Sequence, residues 1–194
     1  MKRGEEKLRV VVAGQVPPPV GGQNLNVQRV LRLLRHEPDL IVDHLPFRFT
    51  ACWSQVRKPG LAKLAELFAV VLRLTRLRLK GGPIDVVLYP VGGPHLSPIL
   101  RDLCLLPSFL VLSRHVVLHF RAAGIAESLG GMPWPVRWLA PRIYGRAYGA
   151  LVLSQFGRAD PQCLGVKRVD VIPNAVEDEY RPLSTQYLDK GNQI

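Results

Sequence analysis

Apolar runs and helix-period segments alternate along the chain. Six short runs rich in valine, isoleucine and leucine predict strands: Leu8–Gly14, Leu40–Leu45, Ile84–Pro90, His115–Phe120, Gly149–Ser154 and Arg168–Pro173. The first, third, fourth and fifth are nearly continuous apolar runs, the mark of strands covered on both faces. Between them, a helix starts near Gln23 and ends before Pro38, with Leu25, Val27, Val30, Leu31 and Leu34 at helical spacing. A long helix spans Leu61–Lys80 and stops at Gly81-Gly82. Ser97–Arg114 predicts a helix broken at Pro107, and Pro135–Tyr148 another interrupted at Pro141, because proline removes a helical N–H. A short helical turn follows, with Asp160 as its N-cap, Pro161 as its first residue and Gly165 as its stop. Strand and helix alternating in this way predict a doubly wound α/β fold on a mainly parallel sheet. The polar tail Ser184–Ile194 has no periodic pattern.

Composition narrows the class. The 194 residues suit one domain with an ample core, at 47% hydrophobic. The net charge of +11 favours an anionic partner, against the plainer reading of a basic surface that only aids solubility. Cys52, Cys104 and Cys163 are odd in number and widely spaced, which argues against a disulfide framework or zinc site and fits a cytoplasmic protein. The N-terminus lacks the apolar core of a signal peptide, and no apolar run reaches the length of a membrane span.

Three stretches carry candidate chemistry. In Val11–Gln23 (VVAGQVPPPVGGQ), a strand runs into three stiff prolines and then Gly21-Gly22 at the start of a helix. In a doubly wound sheet this is where a ligand oxygen approaches backbone N–H groups. The alternative is a tight strand-to-helix corner, since the spacing matches neither G-x-G-x-x-G nor a Walker lysine. In VVLHFRAAG, His119 and Arg121 stand at the exit of a buried strand, suited to a sugar hydroxyl and a phosphate. His115 and His119 are four apart, but on a strand and without an adjacent acid, so no metal is expected. Ser154 and Asn174 end the last two strands, where turn chemistry is the competing reading.

Taken together, PPPVGGQ, LHFRAAG, LVLSQFGRADPQCLGVKRVDVIPNAVED and the exit YRPL resemble the amino-terminal domain of the family 4 retaining glycosyltransferases, which have the GT-B fold. The resemblance covers about Leu8 to Leu183, and the last long segment is its most specific part. It implies a Rossmann-like acceptor-side domain over residues 1–183, with 184–194 as interdomain linker or tail. By position, Gly21 and Gly22 match the loop that approaches the donor diphosphate, and His119 matches the histidine near the transferred sugar. Ser154 and Asn174 match strand-end positions of the family, and Arg121 neighbours the histidine. The implied partners are a nucleotide-sugar donor and a sugar or lipid-linked acceptor, with no metal and no other cofactor.

The family's Glu-x7-Glu motif is missing, because no two glutamates are eight apart. That motif belongs to a second, nucleotide-gripping domain. The expectation is therefore a chain inactive by itself, completed by a C-terminal domain or a catalytic partner chain. The alternative is a non-catalytic binding or scaffold subunit of a split transferase; a third reading is a stand-alone enzyme for another phosphorylated metabolite. The open carboxyl edge leaves room for a homodimer. Nucleic acid is not expected, since no reading module accompanies the charge. In Leu61–Lys80, Lys63, Arg73, Arg76 and Lys80 cluster opposite Leu61, Leu64, Phe68, Val71 and Leu72. The apolar face reads as core-packed and the basic face as solvated. The competing reading presses the basic face on anionic lipid at the inner face of a membrane.

Overall fold

The computed structural model describes residues 7–47 and 61–173. Asn174, Cys52, all of Arg48–Pro59 and the tail lie outside the described residues. The element order is β1 (Leu8–Gly14), α1 (Gly22–Arg35), β2 (Leu40–Pro46), α2 (Leu61–Gly81), β3 (Ile84–Pro90), α3 (Leu96–Leu112) and β4 (Ser113–Phe120). It continues with α4 (Ile125–Gly130), α5 (Trp134–Tyr144), β5 (Gly149–Val152), a 3₁₀ turn (Gln155–Arg158), α6 (Ala159–Cys163) and β6 (Val169–Val171). The strands form one sheet in the order β2-β1-β3-β4-β5-β6. Every pairing is parallel. This is a Rossmann-like, doubly wound α/β fold. The four nearly continuous apolar runs are the four internal strands, and the two mixed runs are the edges.

Strand order dictates the layers. The step from β1 to β2 runs one way across the sheet and all later steps run the other way, so right-handed crossovers place α1 on the face opposite the remaining helices. The two cores follow this division. Val11, Ala13, Val87, Tyr89, Val116, Leu118 and Val152 point into the larger core, against Val70 and Leu74 of α2, Ile99 and Phe109 of α3, and Tyr144 of α5. The alternate residues Val10 and Val12 pack on Val27 and Leu31 of α1 in a smaller one. Gly14 makes that packing close. Its φ of 153° favours glycine, and a Cβ there would stand 2.8 Å from Val27.

Four expectations need correction. Helix α3 runs unbroken through Pro107. Pro107 is exposed, whereas Leu105, Leu106 and Phe109 around it are buried. Their burial, worth roughly 1.5–3 kcal/mol each, outweighs a proline cost of about 3 kcal/mol. Helix α5 likewise passes Pro141, held by Val136, Ala140 and Tyr144 at four-residue spacing, and stops at Gly145 rather than Tyr148. Asp160 lies inside α6 and does not cap it; its carboxylate accepts hydrogen bonds from Gly124 N and Ala126 N, both at 2.9 Å, and so caps α4. Finally, much of the apolar face assigned to the core in α2 is turned outward, although Val71 of that face packs against the core. Leu64, Phe68 and Leu72 are exposed, and the helix packs instead through Val70 and Leu74.

Candidate functional site at the carboxyl edge

Strand β1 lies between β2 and β3, so the chain leaves β1 toward one side and β3 toward the other. The loops after these strands diverge at this switch point, where doubly wound sheets hold their ligands. A cleft of about 390 Å³ opens there. Gly14, Gly21 and Gly22 line one wall, Gly92, Gly93 and Pro98 the other, and Lys63 and Arg101 add two cations.

The proline corner is fixed from both sides. Gln15 Nε2 donates to Pro18 O at 3.1 Å, and Asn24 Nδ2 donates to Pro19 O at 2.7 Å. Gly21 is extended, with φ −161° and ψ 155°, a conformation open to any residue. A Cβ at Gly22 would meet no atom within 4 Å. Conformation demands glycine at neither position, and protein sterics do not demand it at Gly22, in contrast with Gly14. What the missing side chains do is leave the N-terminus of α1 bare toward the cleft. No acidic residue occupies the first turn of that helix, whose leading N–H groups have no helical acceptor.

The facing wall rests on a buried network that the sequence reading missed. Asp102 has no solvent exposure. One of its oxygens accepts from the Tyr89 hydroxyl and from Arg101 Nε and Nη2, the latter two at 3.0 and 2.8 Å. The other accepts from Gly92 N at 2.8 Å and Tyr144 OH at 2.9 Å. Burial raises the pKa of both phenols, so they remain protonated donors. The carboxylate thus ties together a strand, two helices and the loop after β3, and it fixes the Arg101 guanidinium at the cleft wall. Its signal in the sequence is only the adjacent Arg101-Asp102 on an otherwise apolar helix; the tyrosine partners come from elsewhere in the chain.

His119 and Arg121 sit beside the cleft, on the α1 face. They line a small crevice with Asn26, Val27 and Pro90; Gln23 and Pro90 border both spaces. Arg121 Nη1 donates to Asn26 Oδ1, which pins the strand exit to α1. His119 is 9% exposed, and its Nε2 is buried with no hydrogen-bond partner. Burial, with the Arg121 charge second, pushes its imidazole down to about 4. Burial and then the charge of Arg29 lower the Arg121 guanidinium. At neutral pH, His119 therefore offers an uncharged ring beside a cation.

The structure brings Gly21, Gly22, His119 and Arg121 to one edge of the sheet. Ser154 lies at the same edge beyond β5, but it is exposed, makes no side-chain capping bond and lines neither space. His115 is exposed at the far end of β4, and its ring packs 4.4 Å from that of Tyr148. Among the described residues, no group of three metal-ligating side chains comes together. No protein-family model matches this sequence, and no curated protein is significantly similar to it.

Proposed function

We propose that this chain is the acceptor-side half of a nucleotide-sugar glycosyltransferase. The observation that carries the proposal is the pair of adjoining spaces at the carboxyl edge of a parallel sheet, one lined by Gly21 and Gly22 at the switch point and the other by His119, with Gln23 and Pro90 bordering both. In this reading the donor diphosphate meets the N-terminus of α1, where the two glycines let its oxygens reach the backbone. Arg101 supplies charge from the opposite wall. The neutral His119 ring hydrogen-bonds a hydroxyl of the donor sugar and orients its anomeric carbon. The bond from that carbon to the diphosphate breaks, the acceptor oxygen bonds to it, and the acceptor proton leaves with the diphosphate. Backbone N–H groups here and cations of a second domain or chain stabilise the departing charge.

Equilibrium dialysis with labelled nucleotide-sugars tests the reading. The chain should bind weakly and saturably, Gly22→Val should abolish binding, and the chain alone should transfer no sugar. Absence of binding across uridine, guanosine and adenosine diphosphate sugars would remove the donor assignment. Repeated turnover by the pure chain would show that no second half is needed.

A further inference from the structure

Helix α2 carries an outward stripe that nothing among the described residues covers. Phe68 and Leu79 are each 78% exposed, and Leu64 and Leu72 are about half exposed. At 100° per residue these four fall within roughly a quarter of the helix circumference. Arg76 and Lys80 follow on one flank of the stripe and Arg78 on the other. The one acid of the helix, Glu66, is held by Arg73 at 2.8 Å, away from the stripe. Arg76 and Lys80 also border a groove of about 410 Å³ between α2 and the edge strand β2. Its other cations, Arg9 and Arg73, are paired with Asp43 and Glu66, whereas Arg76 and Lys80 carry no ion pair among the described residues.

We infer that α2 docks on an anionic bilayer. Leu64, Phe68, Leu72 and Leu79 enter the interface, while Arg76, Lys80 and Arg78 meet the lipid phosphates from both flanks. Charge selects this occupant. A second copy of a +11 chain would set the same cations against each other, whereas anionic lipid neutralises them. An apolar stripe bounded by cations, on a helix too charged to cross a membrane, is the pattern of an interfacial helix. The docking does not depend on the sugar chemistry. It does place the cleft beside the bilayer, because Lys63 and Leu67 in the first turns of α2 line that cleft.

Vesicle co-sedimentation provides the test. The chain should bind phosphatidylcholine vesicles containing about 30 mol% phosphatidylglycerol and stay in the supernatant with pure phosphatidylcholine. The double variant Phe68→Ser/Leu72→Ser and the double variant Arg76→Glu/Lys80→Glu should each bind at least about tenfold more weakly. Both pairs are on the surface, so melting temperature should hold, and it is measured alongside. Binding that is indifferent to both variants, or no binding to the anionic vesicles, overturns the inference. A concentration-dependent dimer in lipid-free buffer that Phe68→Ser/Leu72→Ser dissolves would give the stripe to a second copy and overturn it as well.

Discussion

His44 and His119 stand on the same face of the sheet, both near its carboxyl edge, and they have opposite fates. His44 is half-buried, and its Nε2 lies 2.9 Å from Gly14 O. A carbonyl only accepts, so that nitrogen carries the proton, and the bond ties the edge strand β2 to the exit of β1. Burial is the main cause of its lowered pKa, with the bond to Gly14 opposing and Arg35 adding to the effect. His119 is more deeply buried, and its Nε2 has no partner. An unpaired buried nitrogen costs stability, whereas a paired one contributes to it. A fold that only needed a strand cap at residue 119 would be served better by an apolar residue. The difference separates a histidine whose ring nitrogen ties two strands together from one whose ring nitrogen is buried without a partner beside the crevice.

The largest effect should appear in turnover, measured with the nucleotide-gripping partner present. His119→Ala should lower turnover by about 10²–10³, by analogy with loss of a positioned transition-state donor, with little change in nucleotide affinity. His44→Ala should leave turnover nearly intact. Equal losses from both variants would erase the distinction.

The next effect is in the pH dependence of stability. His119 is neutral in the fold down to about 4, while in the unfolded chain it takes a proton near 6.5. The unfolded state therefore binds more protons across that window. Stability is full above about 6.5 and is lost as pH falls toward 4, by up to roughly 3 kcal/mol. Denaturant unfolding at stepped pH should show this loss in the wild type and much less of it in His119→Leu. His44, also lowered, should leave a smaller residual slope of the same sign.

At neutral pH the effects are smaller and opposite in direction. His44→Ala should cost about 0.5–1.5 kcal/mol, the worth of one hydrogen bond. His119→Leu should be neutral or stabilising by up to about 1 kcal/mol, since it replaces an unpaired polar group with an apolar one of similar size. Thermal melts of the two variants side by side decide this. A His119→Leu variant that fails to fold would make the residue structural.

Much of this architecture was legible, for reasons particular residues make clear. Strands β1, β3, β4 and β5 announced themselves because burial on both faces leaves little room for polar residues. Helix α1 was readable because its single apolar stripe, Val27, Leu31 and their neighbours, is just what one sheet face requires. Helix α2 was not. It has more apolar residues than one contact needs, so periodicity could not choose between the stripe through Val70 and Leu74 and the one through Phe68 and Leu72. The prolines at 107 and 141 misled because tertiary burial outweighed a local cost. The positions of Gly21, Gly22 and His119 at the carboxyl edge of the sheet could be read individually, since their signal is local. The Asp102 network and the cap from Asp160 could not, because their partners, Tyr144 and Gly124, lie 42 and 36 residues away.

The central claim is that the Gly21-Gly22 loop and His119 form one nucleotide-sugar site. The most direct measurement is a titration of the ¹⁵N-labelled chain with uridine, guanosine and adenosine diphosphate sugars, followed by amide and imidazole NMR signals. The account predicts saturable shifts for one nucleotide series at Gly21, Gly22 and Gln23 together with the His119 ring, unaltered in His44→Ala and lost in Gly22→Val. Silence at those signals under all three series, or shifts confined to the Arg76 and Lys80 groove, would contradict it.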